Sequence, residues 1–125
     1  MKTMLITGSQ GFVGRYLKHE LMTAGYSVIG LDIQEIQNEG VLQADILDIE
    51  QLKGAIKAVA PDVIFHLAGR TSVLDSWRDP QRTVEVNLIG AVNLLEAVRS
   101  INKVIRLVLI GSADQYGSIG DENAV

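Results

Sequence analysis

Apolar residues along this chain fall into two rhythms that alternate. Met4-Leu5-Ile6-Thr7 is a short continuous apolar run stopped by Gly8, the pattern of a buried parallel strand. The period then changes: Val13, Leu17, Leu21 and Ala24 recur at helical spacing up to Gly25, which suits the left-handed residue that ends a helix. Residues 27–31 read as a second strand, and a shorter third lies around Val41 and Leu42. Asp48 and Gln51 resemble a capping pair, opening a helix with Leu52, Ala55, Ile56 and Val59 on its apolar face and Pro61 at its close. Residues 62–67 make a fourth strand. Asp79-Pro80 places a cap and a first-turn proline before a long helix. Val84, Leu88, Ala91, Leu95 and Val98 form its stripe, which Ile89 and Val92 widen. Residues 105–110 are the fifth strand, and 111–125 are polar and irregular.

Strands alternating with helices predict an α/β fold, a parallel sheet wound on both faces by right-handed crossovers. A chain of 125 residues fits one domain, and no repeat or internal linker divides it. With 47% hydrophobic and 21% charged residues, the composition excludes disorder. A net charge of −4 argues against binding nucleic acid or an anionic membrane surface. The absence of cysteine excludes disulfides, thiol catalysis and cysteine-rich zinc sites, and suits a reducing cytoplasm. No metal is called for. The apolar run at the start is too short for a signal peptide or a membrane span, which predicts a soluble intracellular protein.

The 12 glycines narrow the picture further. Gly8, Gly11 and Gly14 join the first strand to the first helix, the place where an open α/β sheet receives a nucleotide. Side chains at Gly8 or Gly11 would block a tight turn or hold a pyrophosphate off the backbone N–H groups, and Gly14 lets the helix pack closely. The helix start then faces the phosphates with its partial positive charge. Asp32 lies at the end of the second strand, 18 residues past Gly14, close to the spacing of a carboxylate that accepts from adenosine ribose hydroxyls. It favours NAD over NADP, because residues 33–37 supply no lysine or arginine to offset a 2′-phosphate. The competing reading is a solvated acid at a strand end.

The spacing Gly-x-x-Gly-x-x-Gly with Phe12 after the second glycine resembles the extended short-chain dehydrogenase/reductase family, the nucleotide-sugar epimerases, dehydratases and reductases. Supporting segments are Asp45-Ile46-Leu47-Asp48, Phe65-His66-Leu67-Ala68-Gly69 and Ser72-Val73-x-x-Ser76-Trp77-x-x-Pro80. Two more are Asn87-x-x-Gly90-x-x-Asn93-Leu94-Leu95-Glu96-Ala97 and Gly111-Ser112-x-x-x-Tyr116-Gly117. Together they look most like the GDP-4-keto-6-deoxymannose reductase branch. The resemblance implies a Rossmann sheet of about five strands in order 3-2-1-4-5. It also implies a site for NAD at Gly8, Gly11, Phe12, Val13, Gly14, Asp32, Ile33, Asp45, Ile46, Leu67, Ala68, Gly69, Asn87, Ile110 and Gly111. Ser112 falls on the catalytic Ser/Thr that hydrogen-bonds the reacting sugar oxygen, and Ser72, Ser76 and Trp77 fall in a substrate loop. Family members commonly pair through the helix over 80–101, which implies a homodimer. Ordinary readings stand beside these: Asp48 as a helix cap, His66 as a core histidine, Trp77 as helix-entry packing, and the wide apolar face as buried between sheet and neighbour.

The family's Tyr-x-x-x-Lys acid/base pair is absent, since Gly120 stands four residues after Tyr116. The expectation is therefore an N-terminal cofactor part, 1–125, of a longer enzyme that transfers hydride at a carbon of a nucleotide sugar. It would lack the family's last strands and its C-terminal substrate domain, and would be inactive alone. The alternative is a non-catalytic dinucleotide sensor.

Overall fold

Strand and helix alternate as the pattern predicts over residues 1–34 and 40–117, which the computed structural model describes. In chain order these are β1 (Thr3–Thr7), α1 (Phe12–Thr23), β2 (Ser27–Asp32), β3 (Val41–Gln43), α2 (Ile49–Val59) and β4 (Val63–His66). There follow α3 (Val73–Arg78), α4 (Pro80–Val84), a π-helical turn (Glu85–Ile89), α5 (Gly90–Arg99), β5 (Arg106–Leu109) and a 3₁₀ turn (Ala113–Tyr116). The strands pair in parallel in the order β3-β2-β1-β4-β5, with Thr7 at the end of β1 opposite Leu31 and His66. This is the expected doubly wound sheet.

Alternation along β1 divides the core between its two faces. Leu5 points into the larger cluster with Leu31, Ile46, Leu52, Ile56, Ile64, Leu94 and Ala97, packed under α2 and α5. Met4 and Ile6 point to the other face, where Val28, Leu17 and Leu21 meet them under α1. Full burial of Leu52 and Ile56 stabilises the α2 side by about 2 kcal/mol each. At the opposite end of the strands, Asp62 accepts from the Thr3 N–H at 2.8 Å and pairs with Lys103 at 2.9 Å. These two contacts, the backbone one first, hold its carboxyl below the usual range.

Four details differ from the sequence expectation. The stripe expected on the long helix is largely exposed: Val84, Leu88, Val92 and Leu95 face outward, while Gly90, Leu94 and Ala97 are buried. Both faces are apolar, and the one with glycine and alanine packs closer: Gly90 makes room for Ile46, and Ala97 joins the cluster with Leu52 and Ile56. On α1, Val13 and Ala24 are exposed, and the packed face is Gly14, Leu17 and Leu21. Asp48 does cap α2, accepting from the Glu50 and Gln51 N–H groups at 3.1 Å, but Gln51 turns its Oε1 to the Asp45 N–H instead of back to Asp48. That helix closes on Ala60 in the left-handed region, φ 45°, before Pro61 is reached.

Candidate functional site at the carboxyl end of the sheet

The loop after β1 is built from small residues because backbone occupies the space where side chains would go. Gly8 has φ 69°, and a Cβ there would lie 2.8 Å from the backbone of Ala68 at the end of β4. A Cβ on Gly14 would fall on the Gly8 carbonyl and on Ser9, so its closeness serves the loop and not the sheet as expected. The Leu31 carbonyl accepts from the Gly8 N–H at 2.8 Å, which ties the loop to β2. Gly11 precedes α1 with extended φ and ψ, and no side chain caps that helix. The N–H groups of its first turn are therefore left for a ligand or solvent.

Asp32 is buried at the end of β2, and its two oxygens are engaged from either side. Oδ2 accepts from the Gln10 N–H at 3.0 Å, and Oδ1 from the Gln34 N–H at 3.2 Å. The carboxylate thus fixes the glycine loop and keeps lone pairs for further donors. This rules out the reading of Asp32 as a merely solvated acid. Across from it, Asp45 Oδ1 accepts from the Leu47 N–H at 2.9 Å in a tight local turn.

Below the loop, Thr7 Oγ1 and His66 Nδ1 lie 2.7 Å apart, and the Ala68 N–H donates to the same hydroxyl at 3.2 Å. The hydroxyl keeps a proton and a second lone pair, so it can pair with Nδ1 in either neutral tautomer. Burial pushes the imidazole pKa down. His66 is a core histidine.

A cavity of about 320 Å³ opens at this end of the sheet. It gathers Gly8, Asp32, Ile33, Asp45, Ile46, Ala68 and Gly69 of the residues expected from sequence, together with Leu31, Ala44, Val86, Arg70 and Arg82. The two arginines were not anticipated. They come from the β4–α3 loop and from α4, so the pocket's charge balance is assembled only in the fold. Arg70 lies 3.8 Å from Asp79, and Arg82 lies 3.3 Å from Glu85.

Other expected residues lie outside this cavity. Gly11, Phe12, Val13 and Gly14 form the loop and first turn beside it, with Phe12 and Val13 exposed. Leu67 packs beneath α1. Asn87 pairs both amide atoms with the Arg70 backbone, its Oδ1 accepting at 2.7 Å and its Nδ2 donating at 2.9 Å. Ser72 caps α3 by accepting from the Asp75 N–H, and Ser76 donates to the Val73 carbonyl, so the expected substrate loop is partly a helix. Trp77 is 81% exposed, which overturns the helix-entry packing reading. Ile110 and Gly111 are exposed after β5, and Ser112 Oγ accepts from the Asp114 N–H. The stretch around Gly120 lies outside the described residues, as do 35–39. Among the described residues no helix is long and apolar enough to cross a membrane.

The family model described as "NAD dependent epimerase/dehydratase family" matches residues 4–124. The GDP-6-deoxy-D-mannose reductase of Pseudomonas aeruginosa is 33% identical over 118 residues, 94% of this chain and 36% of that protein. A UDP-glucose 4-epimerase of Mycolicibacterium smegmatis is 36% identical, over 91% of this chain and 40% of its own length. Among solved structures, the UDP-glucose 4-epimerase of Stenotrophomonas maltophila, with bound NAD and formylated UDP-arabinopyranose, superposes with a TM-score of 0.87 at 26% identity. That match covers 100% of this chain and 41% of the other. The chain thus spans well under half the length of these relatives.

Proposed function

The chain belongs to the NAD dependent epimerase/dehydratase family, and from that premise we propose that residues 1–125 bind NAD for a protein that acts on a nucleotide sugar. The observation that carries the reading is the pairing of an uncapped α1 start with a loop that has glycine at 8, 11 and 14, held against the buried carboxylate of Asp32. A dinucleotide fits these residues: its pyrophosphate needs unpaired N–H donors without intervening Cβ atoms, and its adenosine ribose needs an acceptor beside them.

Within this reading Asp32 accepts from the ribose hydroxyls while holding the Gln10 amide. Asp45 and Ile46 border the adenine, with Ile33 along the ribose edge. Phe12, Val13 and Gly14 offer backbone donors to the pyrophosphate, and Gly11, whose own N–H donates to the Gly8 carbonyl, leaves room for it. Leu67, Ala68 and Gly69 let the chain of the cofactor pass close to the end of β4, toward Asn87, Ile110 and Gly111. NAD supplies the carbon that takes and returns hydride. Ser112 donates a hydrogen bond to the reacting sugar oxygen, and Ser72, Ser76 and Trp77 border the sugar nucleotide. The 125 residues contain no Tyr-x-x-x-Lys, so the role assigned to them is positioning of the cofactor. The exposed Val84, Leu88, Val92 and Leu95 face, running from α4 through the π turn into α5, is the surface on which we place homodimer pairing.

Calorimetric titration tests the reading directly. NAD should bind the folded chain, and Asp32→Ala should weaken it by about tenfold, the loss of a charge-assisted hydrogen bond. A folded chain that takes up no NAD at about millimolar cofactor would overturn it.

A further inference from the structure

Two loops face each other across the pocket, and both are tethered to the same helix, residues 80–99. On one wall Asn87 holds the Arg70 backbone through both of its amide atoms. On the other, Asn93 donates Nδ2–H to the Ile46 carbonyl at 3.0 Å, a bond spanning 47 residues of chain. Gly90, between them, is buried and makes room for the Ile46 side chain: a Cβ there would stand 2.5 Å from Cδ1 and 3.0 Å from Cγ1. The π turn, Glu85–Ile89, carries Asn87, with the Gly90 N–H donating to the Glu85 carbonyl. Such turns are rare and frequently found at functional sites.

Neither Gly90 nor Asn93 lines the cavity, whereas Ile46 and its neighbour Asp45 do. The other bonds of that loop run within it, Leu47 N–H to Asp45 Oδ1 and Asp48 N–H to the Asp45 carbonyl, or to its flanks, Ala44 N–H to the Asp32 carbonyl and Asp45 N–H to Gln51 Oε1. They shape the turn and tie its start to β2. Its restraint toward the helix over 80–99 is the amide of Asn93 together with the space at Gly90.

We propose that Asn93 and Gly90 are positioning residues for the adenine end of the site, acting through Ile46 and setting its preference among purine bases. The inference rests on the dinucleotide reading above and adds residues that touch no ligand. An amide at position 93 is required because the Ile46 carbonyl can only accept; an ionised carboxylate there would repel it.

AMP and GMP are the probes, titrated into the chain and three variants by calorimetry, with melting followed in parallel. Asn93→Asp and Gly90→Ala should each weaken AMP by about fivefold, the worth of roughly one hydrogen bond, and leave GMP unchanged, so that base preference shrinks. Adding Ile46→Val to Gly90→Ala removes the crowded Cδ1 and should recover most of the AMP affinity. If Asn93→Asp fails to fold, the Gly90→Ala pair with and without Ile46→Val decides. Folded variants that bind AMP as the wild type does, or that lose AMP and GMP equally, overturn the proposal. A folded wild-type chain that binds no AMP overturns the dinucleotide reading, and this inference with it.

Discussion

Two junctions in this chain turn a strand into a helix at the same end of the sheet, and their chemistry is opposite. At β3–α2 the junction completes itself: Asp48 accepts from two N–H groups of the first turn, and Gln51 satisfies the Asp45 amide. At β1–α1 no side chain caps the helix, and glycines stand where side chains would serve. Both junctions border one pocket through Gly8 and Asp45. A helix start that satisfies its own donors is a structural joint, whereas one kept bare leaves N–H donors open, as the proposed NAD site requires. The difference can be tested from both sides, by breaking the scaffold of the open junction, by closing it, and by opening the closed one.

The largest effect should come from Gly8→Ala. Its φ of 69° and the 2.8 Å approach to Ala68 act together, backbone strain adding to overlap. A loss of about 3 kcal/mol of stability is expected, read from the denaturant midpoint. A change below about 1 kcal/mol would mean that the loop can move off β4, and the rigid scaffold would then be no part of the comparison.

Closing the junction separates stability from binding. Gly11 already has the extended conformation that caps adopt, φ −69° and ψ 172°, and a Cβ there has only the Gly8 carbonyl at 3.3 Å to avoid. Gly11→Asp should therefore leave stability within about 1 kcal/mol of the wild type while lowering NAD affinity by about tenfold or more, because the carboxylate takes the donors and repels the pyrophosphate. Retained affinity in a folded variant would show that the bare helix start is not what receives the phosphates. The converse change, Asp48→Ala, should lose about 1 kcal/mol of stability and alter AMP affinity by less than about twofold. A larger effect on AMP would make the closed junction part of the ligand site.

The contrast between the junctions was half visible in the sequence. Gly8, Gly11, Gly14, Asp32 and the Asp48 cap could be read from spacing because each acts within a few residues of chain or at a fixed distance along one β-α-β unit. The alternation of periods likewise sufficed for the order of elements. Position 84–98 could not be read correctly, since two apolar stripes run along one helix and pattern alone does not say which meets α2; the small residues Gly90 and Ala97 decide it. Arg70 and Arg82 were missed for a different reason. They sit on separate elements with no shared motif, and only the crossover from β4 through α3 and α4 brings them to the pocket. The tether from Asn93 to Ile46 was hidden in the same way, although its residue type stood inside the Asn87-x-x-Gly90-x-x-Asn93 spacing.

The smallest effect concerns what lies under the open junction. Thr7 joins β1 to the glycine loop, and its hydroxyl is committed both to the Ala68 amide and to the His66 ring. Burial disfavours the charged ring at this site. The folded pKa is therefore below the unfolded value of about 6.5, so the unfolded chain binds the proton more readily. The stabilisation is fully present above that pH and is lost as pH falls through the folded pKa, with a slope of at most about 1.4 kcal/mol per pH unit for one proton. Urea unfolding of wild type and His66→Leu between pH 7.5 and pH 5 should show the gap between them changing in favour of the variant as pH drops. A gap constant across that window would place His66 outside the proton balance of folding, and the floor of the open junction would then be as indifferent to mild acid as a purely apolar one.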